Sequence, residues 1–287
     1  MDLREGPGRQ DQELIFSDLE AGLRSASAVV PEAGSRERDR PFSRPRLRPC
    51  AFALNAPSGG PKQSAPEETH MASLYSEAHR ALQEEFGTTK LAVRLDEDWV
   101  HETIQPDEAA FIASRDMFFL STVDPDGMPT VSYKGGPTGF VKVVDGSTLV
   151  FPGFDGNGMF YSMGNIAGQA KIGLLFIDFE TPHRIRVQGH ASLLRDDPLM
   201  AEYTEAKYLV RVDVTKIWIN CPRYIHKYKK LEQNKYVPRP DRETPLAAWK
   251  RLDLAGDVIS DEDKARVARE GRLEVPEYEA LVARGEA

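Results

Sequence analysis

Two short segments carry polar residues at alternate positions, the spacing that places side chains on one face of a β-strand. In the first segment Thr130, Ser132 and Lys134 share a face, and in the second Arg184 and Arg186 do. Such cations could bind an anionic ligand, because the arginine guanidinium is a fixed fork of donors that suits phosphate. The same alternation also fits a strand with one face in solvent, so the residues alone leave both interpretations open.

A glycine-rich segment lies between these two strands and contains Gly153, Gly156 and Gly158. A dinucleotide-binding fingerprint would need a third glycine where the chain has Tyr161, together with a βαβ frame that the sequence lacks. The segment is either a plain strand-to-helix turn or a loop that brings the N–H groups of a helix N-terminus to a phosphate or a ring oxygen.

The sequence gives little support for a metal site or for a catalytic nucleophile. The six histidines are spread singly, without the spacing of a zinc site, and no G-x-S-x-G nucleophile motif occurs. Cys221, followed by Pro222 and Arg223, is more typical of a small buried apolar residue than of a reactive thiolate. We therefore predict neither a metal site nor a catalytic side chain.

The composition indicates which binding partners and which cellular compartment to expect. Lysine and arginine number 37 against 45 acidic residues, and the net charge of −8 disfavours nucleic acid and anionic membranes. No apolar run is long enough to span a bilayer, and no secretory signal is evident. With only two cysteines, a disulfide framework is not expected, and we expect a cytoplasmic protein.

The elements that would position these residues are mostly short strands. Apolar runs separated by turn residues predict strands at 117–123, 129–134, 140–144, 148–151, 171–179, 184–194 and 209–220. Helical periodicity and capping signals predict helices at 73–87, 106–115, 157–166, 197–206, 261–269 and 276–284. This order favours a mainly β fold with flanking helices that closes as a barrel, not a parallel βαβ sheet.

The amino-acid composition changes along the chain and predicts four segments. Residues 1–70 are rich in arginine and proline and predict a disordered N-terminal extension. We expect a helical lead-in over 71–90, the barrel over 91–228, and a C-terminal helical extension over 229–287.

Several motifs in sequence order carry a family resemblance. They are the Asp124–Gly127 turn, the strand Pro129–Gly136, the segment Asp155–Asn165, the strand Arg184–Gly189 and the late segment Asn220–Tyr224. Together they resemble the pyridoxamine 5′-phosphate oxidase-like family of FMN-binding split β-barrels. The last segment is most similar to an uncharacterised branch of that family, not to the true oxidase.

The resemblance implies a homodimer with one FMN at each of two sites between the subunits. Taken with the alternating basic residues, it places these residues at the cofactor: Val131, Ser132, Tyr133, Lys134, Asn157, Ser162, Asn165, Arg184, Arg186, Asn220 and Arg223. The true oxidase has an Arg-Lys pair where this chain has Tyr161 and Ser162, and its C-terminal substrate-binding motif is missing here. We expect Lys134 and Arg184, with Arg223, to supply the positive charge for the phosphate.

The resemblance therefore implies an FMN-dependent oxidoreductase that acts on a small-molecule substrate, which is not assigned. One alternative is a non-catalytic flavin- or haem-binding module, in which His183, His190 or His226 would have to be the axial haem ligand. Another is a deazaflavin-dependent reductase. The absorbance spectrum of the purified protein distinguishes the three.

Overall fold

A computed structural model describes residues 73–287, so the predicted disordered extension lies outside the described residues. Of these residues, 73–251 and 255–271 belong to one compact unit, which contains the whole sheet, and 252–254 with 272–287 belong to a second. Among the residues described, no helix has the length and apolarity needed to cross a membrane.

The sheet consists of antiparallel strands in the order β3-β2-β6-β7-β8-β5-β4, and β1 pairs with β8 at the side. The strands are β1 (Val100–His101), β2 (Met117–Val123), β3 (Pro129–Gly135), β4 (Lys142–Asp145), β5 (Thr148–Gly153), β6 (Lys171–Asp178), β7 (His183–Leu194) and β8 (Tyr208–Asn220). All seven predicted strands are present, and the two-residue β1 is an addition.

The sheet curls until strands from opposite ends of its order meet. Phe118 of β2 packs against Phe176 of the neighbouring β6, with ring centroids 5.3 Å apart. It also packs against Phe151 of the distant β5, at 5.0 Å. In the described chain β3 and β4 end the order without pairing with each other. The domain is therefore a split β-barrel with an aromatic core, which confirms the predicted fold class.

Alternation decides which side chains enter that core. In β7, Ile185 and Val187 are buried and Arg186 is exposed, as the sequence pattern predicts. The turn from β2 to β3 also forms as predicted. Asp124 accepts hydrogen bonds from the backbone there, and Gly127 adopts a φ of +83° that favours glycine.

The bounds of the helices differ from the predictions most in three places. The helices are α1 (Glu77–Glu85), α2 (Thr89–Trp99), α3 (Pro106–Ala113), α4 (Tyr161–Gly168), α5 (Asp261–Glu270) and α6 (Val275–Ala283). The prediction from the sequence missed α2, which follows Gly87 at a φ of +66°. It began α4 too early, because positive φ values at Gly158 and Phe160 interrupt helical geometry. It also predicted a helix over residues 197–206, where the structure has only the short 3-10 helix Pro198–Glu202.

The C-terminal residues of the larger unit add two further helical pieces. The 3-10 helix Ala248–Arg251 buries Ala248 and Lys250, and α5 begins at the capping residue Ser260, whose hydroxyl accepts from the Asp263 N–H. In the smaller unit, Arg272 pairs with Asp253 and α6 forms where a helix was predicted.

Candidate cofactor-binding site

A cavity of about 590 Å³ lies where the barrel is split. One wall is β3, and the opposite wall is the end of β5 with the start of β8. The third side is the glycine-rich loop, residues 153–160, which leads into α4. Cavities of roughly 300–1,000 Å³ are typical of cofactor sites, so the volume suits a ligand of that size.

Hydroxyl pairs join β3 to its neighbours at the cavity. Ser132 Oγ lies 3.2 Å from Ser162 Oγ at the start of α4. Thr130 Oγ1 lies 2.9 Å from Thr122 Oγ1, which also accepts a hydrogen bond from Asn165 Nδ2 at 3.0 Å. Ser132 and Ser162 line the cavity, whereas Asn165 is buried and lies outside the lining, where its amide anchors α4 on β2.

Lys134 is the cation of the cavity wall. Its side chain is half-buried, and burial lowers its pKa below the ordinary lysine value. Within residues 73–287 no carboxylate lies within ion-pair distance of its ammonium group. A lysine charge removed from water without a counter-ion is unfavourable, so the position is suited to an anion.

The N-terminus of α4 offers backbone donors at the same cavity. Phe160, the residue before the helix, has a φ of +49°, and in the described chain no side chain caps the first turn. Asn157 shapes the approach, because its Oδ1 accepts the Met159 N–H at 3.1 Å. Free N–H groups at a helix N-terminus favour negative charge.

Tyr161 and Ser162 occupy the first two positions of α4. The Tyr161 hydroxyl donates to Asp124 Oδ2 at 3.2 Å, and this hydrogen bond raises the pKa of the tyrosine. Ser162 is buried against Ser132. Neither residue brings a charge, so Lys134 is the cationic side chain among the described residues of the lining.

Aromatic residues that the sequence did not single out complete the walls. Tyr208 lies 6.4 Å from the Phe160 ring, and burial raises the pKa of its phenol. Its cross-strand partner is Gly153, and a Cβ there would lie only 2.0 Å from the Tyr208 ring. Glycine at 153 therefore makes room for the ring. Tyr236, from the polar segment after β8, also lines the cavity.

The family model described as pyridoxamine 5′-phosphate oxidase matches residues 104–227, which include all of the barrel strands from β2 to β8. This domain belongs to the pyridoxamine 5′-phosphate oxidase-like family. No curated protein matches the chain significantly.

Several solved structures are similar to less than half of this chain, at low identity. A putative pyridoxamine 5′-phosphate oxidase from Lactobacillus delbrueckii is 23% identical over 41% of this chain and 95% of that one, with a TM-score of 0.35. An FMN-binding protein from Syntrophomonas wolfei is 16% identical over 49% and 97%, with a TM-score of 0.33. HutZ, titled a haem storage protein, from Vibrio cholerae is 19% identical over 40% and 94%, with a TM-score of 0.31.

Five of the eleven predicted ligand residues of this pyridoxamine 5′-phosphate oxidase-like domain lie outside the cavity lining: Asn165, Arg223 and three residues on the outer face of the sheet. Arg184 and Arg186 project from β7 onto the outer face of the sheet, and Asn220 of β8 is the cross-strand partner of Arg184. Arg184 Nε and Asn220 Oδ1 are buried, yet neither has a hydrogen-bond partner among the described residues. The alternation correctly predicts that the arginines share a face, but that face is opposite to the one that carries Lys134.

The outer face also carries apolar side chains from β3. Val131 and Tyr133 are 69% and 62% exposed, and both also contribute to the cavity lining. The register places Tyr133 in one row with Phe119, Leu175 and Arg186 across four strands. A row of this kind on the outside of a barrel is an exposed, partly apolar surface.

The late segment and the histidines lie outside the cavity lining. Arg223 is exposed, and its backbone N–H lies 3.5 Å from Cys221 Sγ. Cys221 is itself exposed, so its interpretation as a buried apolar residue is wrong: β8 ends at Asn220 and no element covers the next residue. His183 packs edge-on against Phe111 at 4.6 Å, and the other two histidines weighed as haem ligands are exposed. The described residues contain no cluster suited to a metal ion.

Proposed function

We propose that the cavity binds FMN and that the protein is an FMN-dependent oxidoreductase acting on a small molecule. The observation that carries this proposal is Lys134, a half-buried cation without a counter-ion in the described chain, in the wall of a cofactor-sized cavity. A phosphomonoester carries about 1.5 to 2 negative charges near pH 7, and a partly desolvated cation pairs with it strongly.

Three kinds of donor around the cavity suit the phosphate. Lys134 supplies the charge, the first turn of α4 supplies backbone N–H groups, and Ser132 and Ser162 supply hydroxyls. The missing Arg-Lys pair of the true oxidase would be replaced by this set. The exposed Arg223 remains a proposed contributor from the late segment.

The aromatic walls suit the flat, largely apolar ring system of a flavin. Phe160, Tyr208 and Tyr236 present ring surface to the cavity, and Gly153 leaves space for one of those rings. When bound, FMN supplies the hydride or electron transfer itself, so the protein's task is to bind, orient and exclude water. Chemistry carried by FMN needs no catalytic side chain, and the described lining of the cavity contains no histidine or cysteine.

We further propose a two-fold homodimer in which the outer faces meet. The exposed Val131 and Tyr133 support this assembly. A second copy would cover the apolar row. Arg184, Arg186 and Asn220 would then approach the cavity of the other subunit, as the family resemblance implies.

The absorbance spectrum of the purified protein, together with an FMN titration, tests the proposal. We expect the two absorption bands of a flavin and a 1:1 ratio of FMN to subunit. A single band at shorter wavelength would identify a deazaflavin, and a Soret band would identify haem; either result, or failure of the folded protein to bind added FMN, would refute the FMN assignment.

A further inference from the structure

The segment that follows the family match takes part in the cavity. The match ends at residue 227, whereas Tyr236 lines the cavity and Lys250 contacts the glycine-rich loop. The Tyr236 hydroxyl accepts the Ala248 N–H at 3.3 Å, which ties the cavity wall to the 3-10 helix that carries Lys250. The segment is therefore connected to the site at two points.

Lys250 joins two elements through its ammonium group. The residue is 6% exposed, and its Nζ lies 2.9 Å from Asp155 Oδ2 and 2.9 Å from Asp263 Oδ2. Asp155 belongs to the glycine-rich loop and Asp263 to the first turn of α5. Burial alone lowers the pKa of Lys250, but the hydrogen bonds that its ammonium donates to both carboxylates outweigh burial, and the pKa is raised.

The loop has few other attachments. Over residues 154–159, the remaining side-chain hydrogen bond in the described chain is the local one between Asn157 and the Met159 N–H. The flanking Gly153 carbonyl accepts from the Lys207 N–H, which fixes the end of β5 but not the loop itself. Lys250 is thus the hydrogen-bonded link between the middle of the loop and the rest of the described chain.

We infer that Lys250 is a positioning residue for the ligand cavity. Through Asp155 it holds the glycine-rich loop against the C-terminal segment, so that the loop and the start of α4 keep their places in the cavity wall. It also neutralises Asp155, a lining carboxylate that would otherwise repel a phosphate. The identity of the ligand rests on the proposed function, whereas the positioning of the loop does not.

Hydrogen exchange of the ligand-free protein, read by mass spectrometry over residues 153–163, tests the link. Asp155→Asn removes the loop's partner and leaves Lys250 paired with Asp263, and Lys250→Met removes both pairs. Asp263→Asn breaks only the link to α5. Asp261→Asn, at an exposed residue of the same helix that pairs with Lys264, is the matched control.

We expect exchange in the loop to be accelerated about fivefold or more by Asp155→Asn and by Lys250→Met, because local opening becomes easier. Asp263→Asn and Asp261→Asn should leave it unchanged, and Lys250→Arg should retain most of the protection. Unchanged exchange in Asp155→Asn, or equal acceleration in Asp263→Asn, would overturn the inference. Asp155→Asn changes an exposed side chain, so it decides the question even if Lys250→Met fails to fold.

A ligand titration separates this inference from the proposed function. In Lys250→Met, Asp155 loses its counter-charge, so FMN affinity should fall about tenfold and the affinity for riboflavin, which lacks the phosphate, should fall less. If the wild-type protein binds no FMN, the proposed function fails while the exchange result still decides the role of Lys250. If it does bind FMN and Lys250→Met binds equally well, the loop is not positioned for this ligand and the inference is overturned.

Discussion

Replacing Lys134 with methionine should weaken FMN binding and stabilise the free protein. A charge-assisted contact to a phosphate contributes about 1.5–3 kcal/mol, which corresponds to a loss of affinity of about tenfold to hundredfold. In the free protein the same charge is partly desolvated and has no partner among the described residues, so removing it should raise the midpoint of thermal unfolding. Loss of affinity with gain of stability is typical of a residue placed for a ligand.

The pH dependence of the free energy of unfolding follows from the direction in which the pKa of Lys134 is shifted. Because burial lowers the pKa of Lys134 in the folded state, the unfolded state binds more protons between the folded and unfolded pKa values. The free energy of unfolding of the free wild-type protein should therefore gain a contribution as pH rises through that alkaline window, and Lys134→Met should lack it. Phosphate binding should reverse the shift and be accompanied by proton uptake.

Fluorescence titrations with FMN and with riboflavin measure the affinities, and calorimetry or circular dichroism measures unfolding. Lys171→Met, an exposed lysine on β6 outside the cavity lining, is the control and should change neither quantity. An equal loss of affinity for riboflavin would show that the effect is not electrostatic. An unchanged FMN affinity would show that Lys134 does not contact the phosphate.

Three further predictions address the wall, the assembly and the termini. Gly153→Ala should displace the Tyr208 ring and lower FMN affinity in a titration, whereas Gly146→Ala, outside the cavity lining and with no atom within 4 Å of the new Cβ, should not. Tyr133→Asp should shift a dimer to a monomer in light scattering, because it places charge on the exposed row; a wild-type monomer at micromolar concentration would contradict the proposed assembly. A protein that starts at Met71 should bind FMN with wild-type affinity, and aggregation or loss of the cofactor would show that residues 1–70 are structural.

Local patterns predicted the strands well, because each one depends on residues close in sequence. Alternation placed Ile185 and Val187 in the core and Arg184 and Arg186 outside it, as the structure confirms. Alternation does not say which face of the curled sheet a strand presents to a cavity. Lys134 and Arg184 were therefore expected in one site, although in a single chain they lie on opposite faces.

The aromatic walls of the cavity could not be predicted, unlike the wall formed by β3, since they depend on contacts between distant parts of the chain. Gly153 faces Tyr208 only because β5 and β8 pair in that register. Tyr236 lies in a polar segment with no periodicity, and nothing near it indicated that it would reach the barrel. The predicted helix at 197–206 failed for a related reason: Tyr203 is buried in a cluster with Val150 and Leu209, and this packing overrides helical propensity.

The split between β3 and β4 has a consequence for how a ligand enters. In a closed barrel, widening the interior requires breaking a continuous ladder of interstrand hydrogen bonds. Here β3 pairs only with β2 in the described sheet, so moving its free edge away from β5 would break the Ser132–Ser162 contact but no ladder between strands. Entry of a ligand through this gap would therefore not require the backbone hydrogen bonds of the sheet to break.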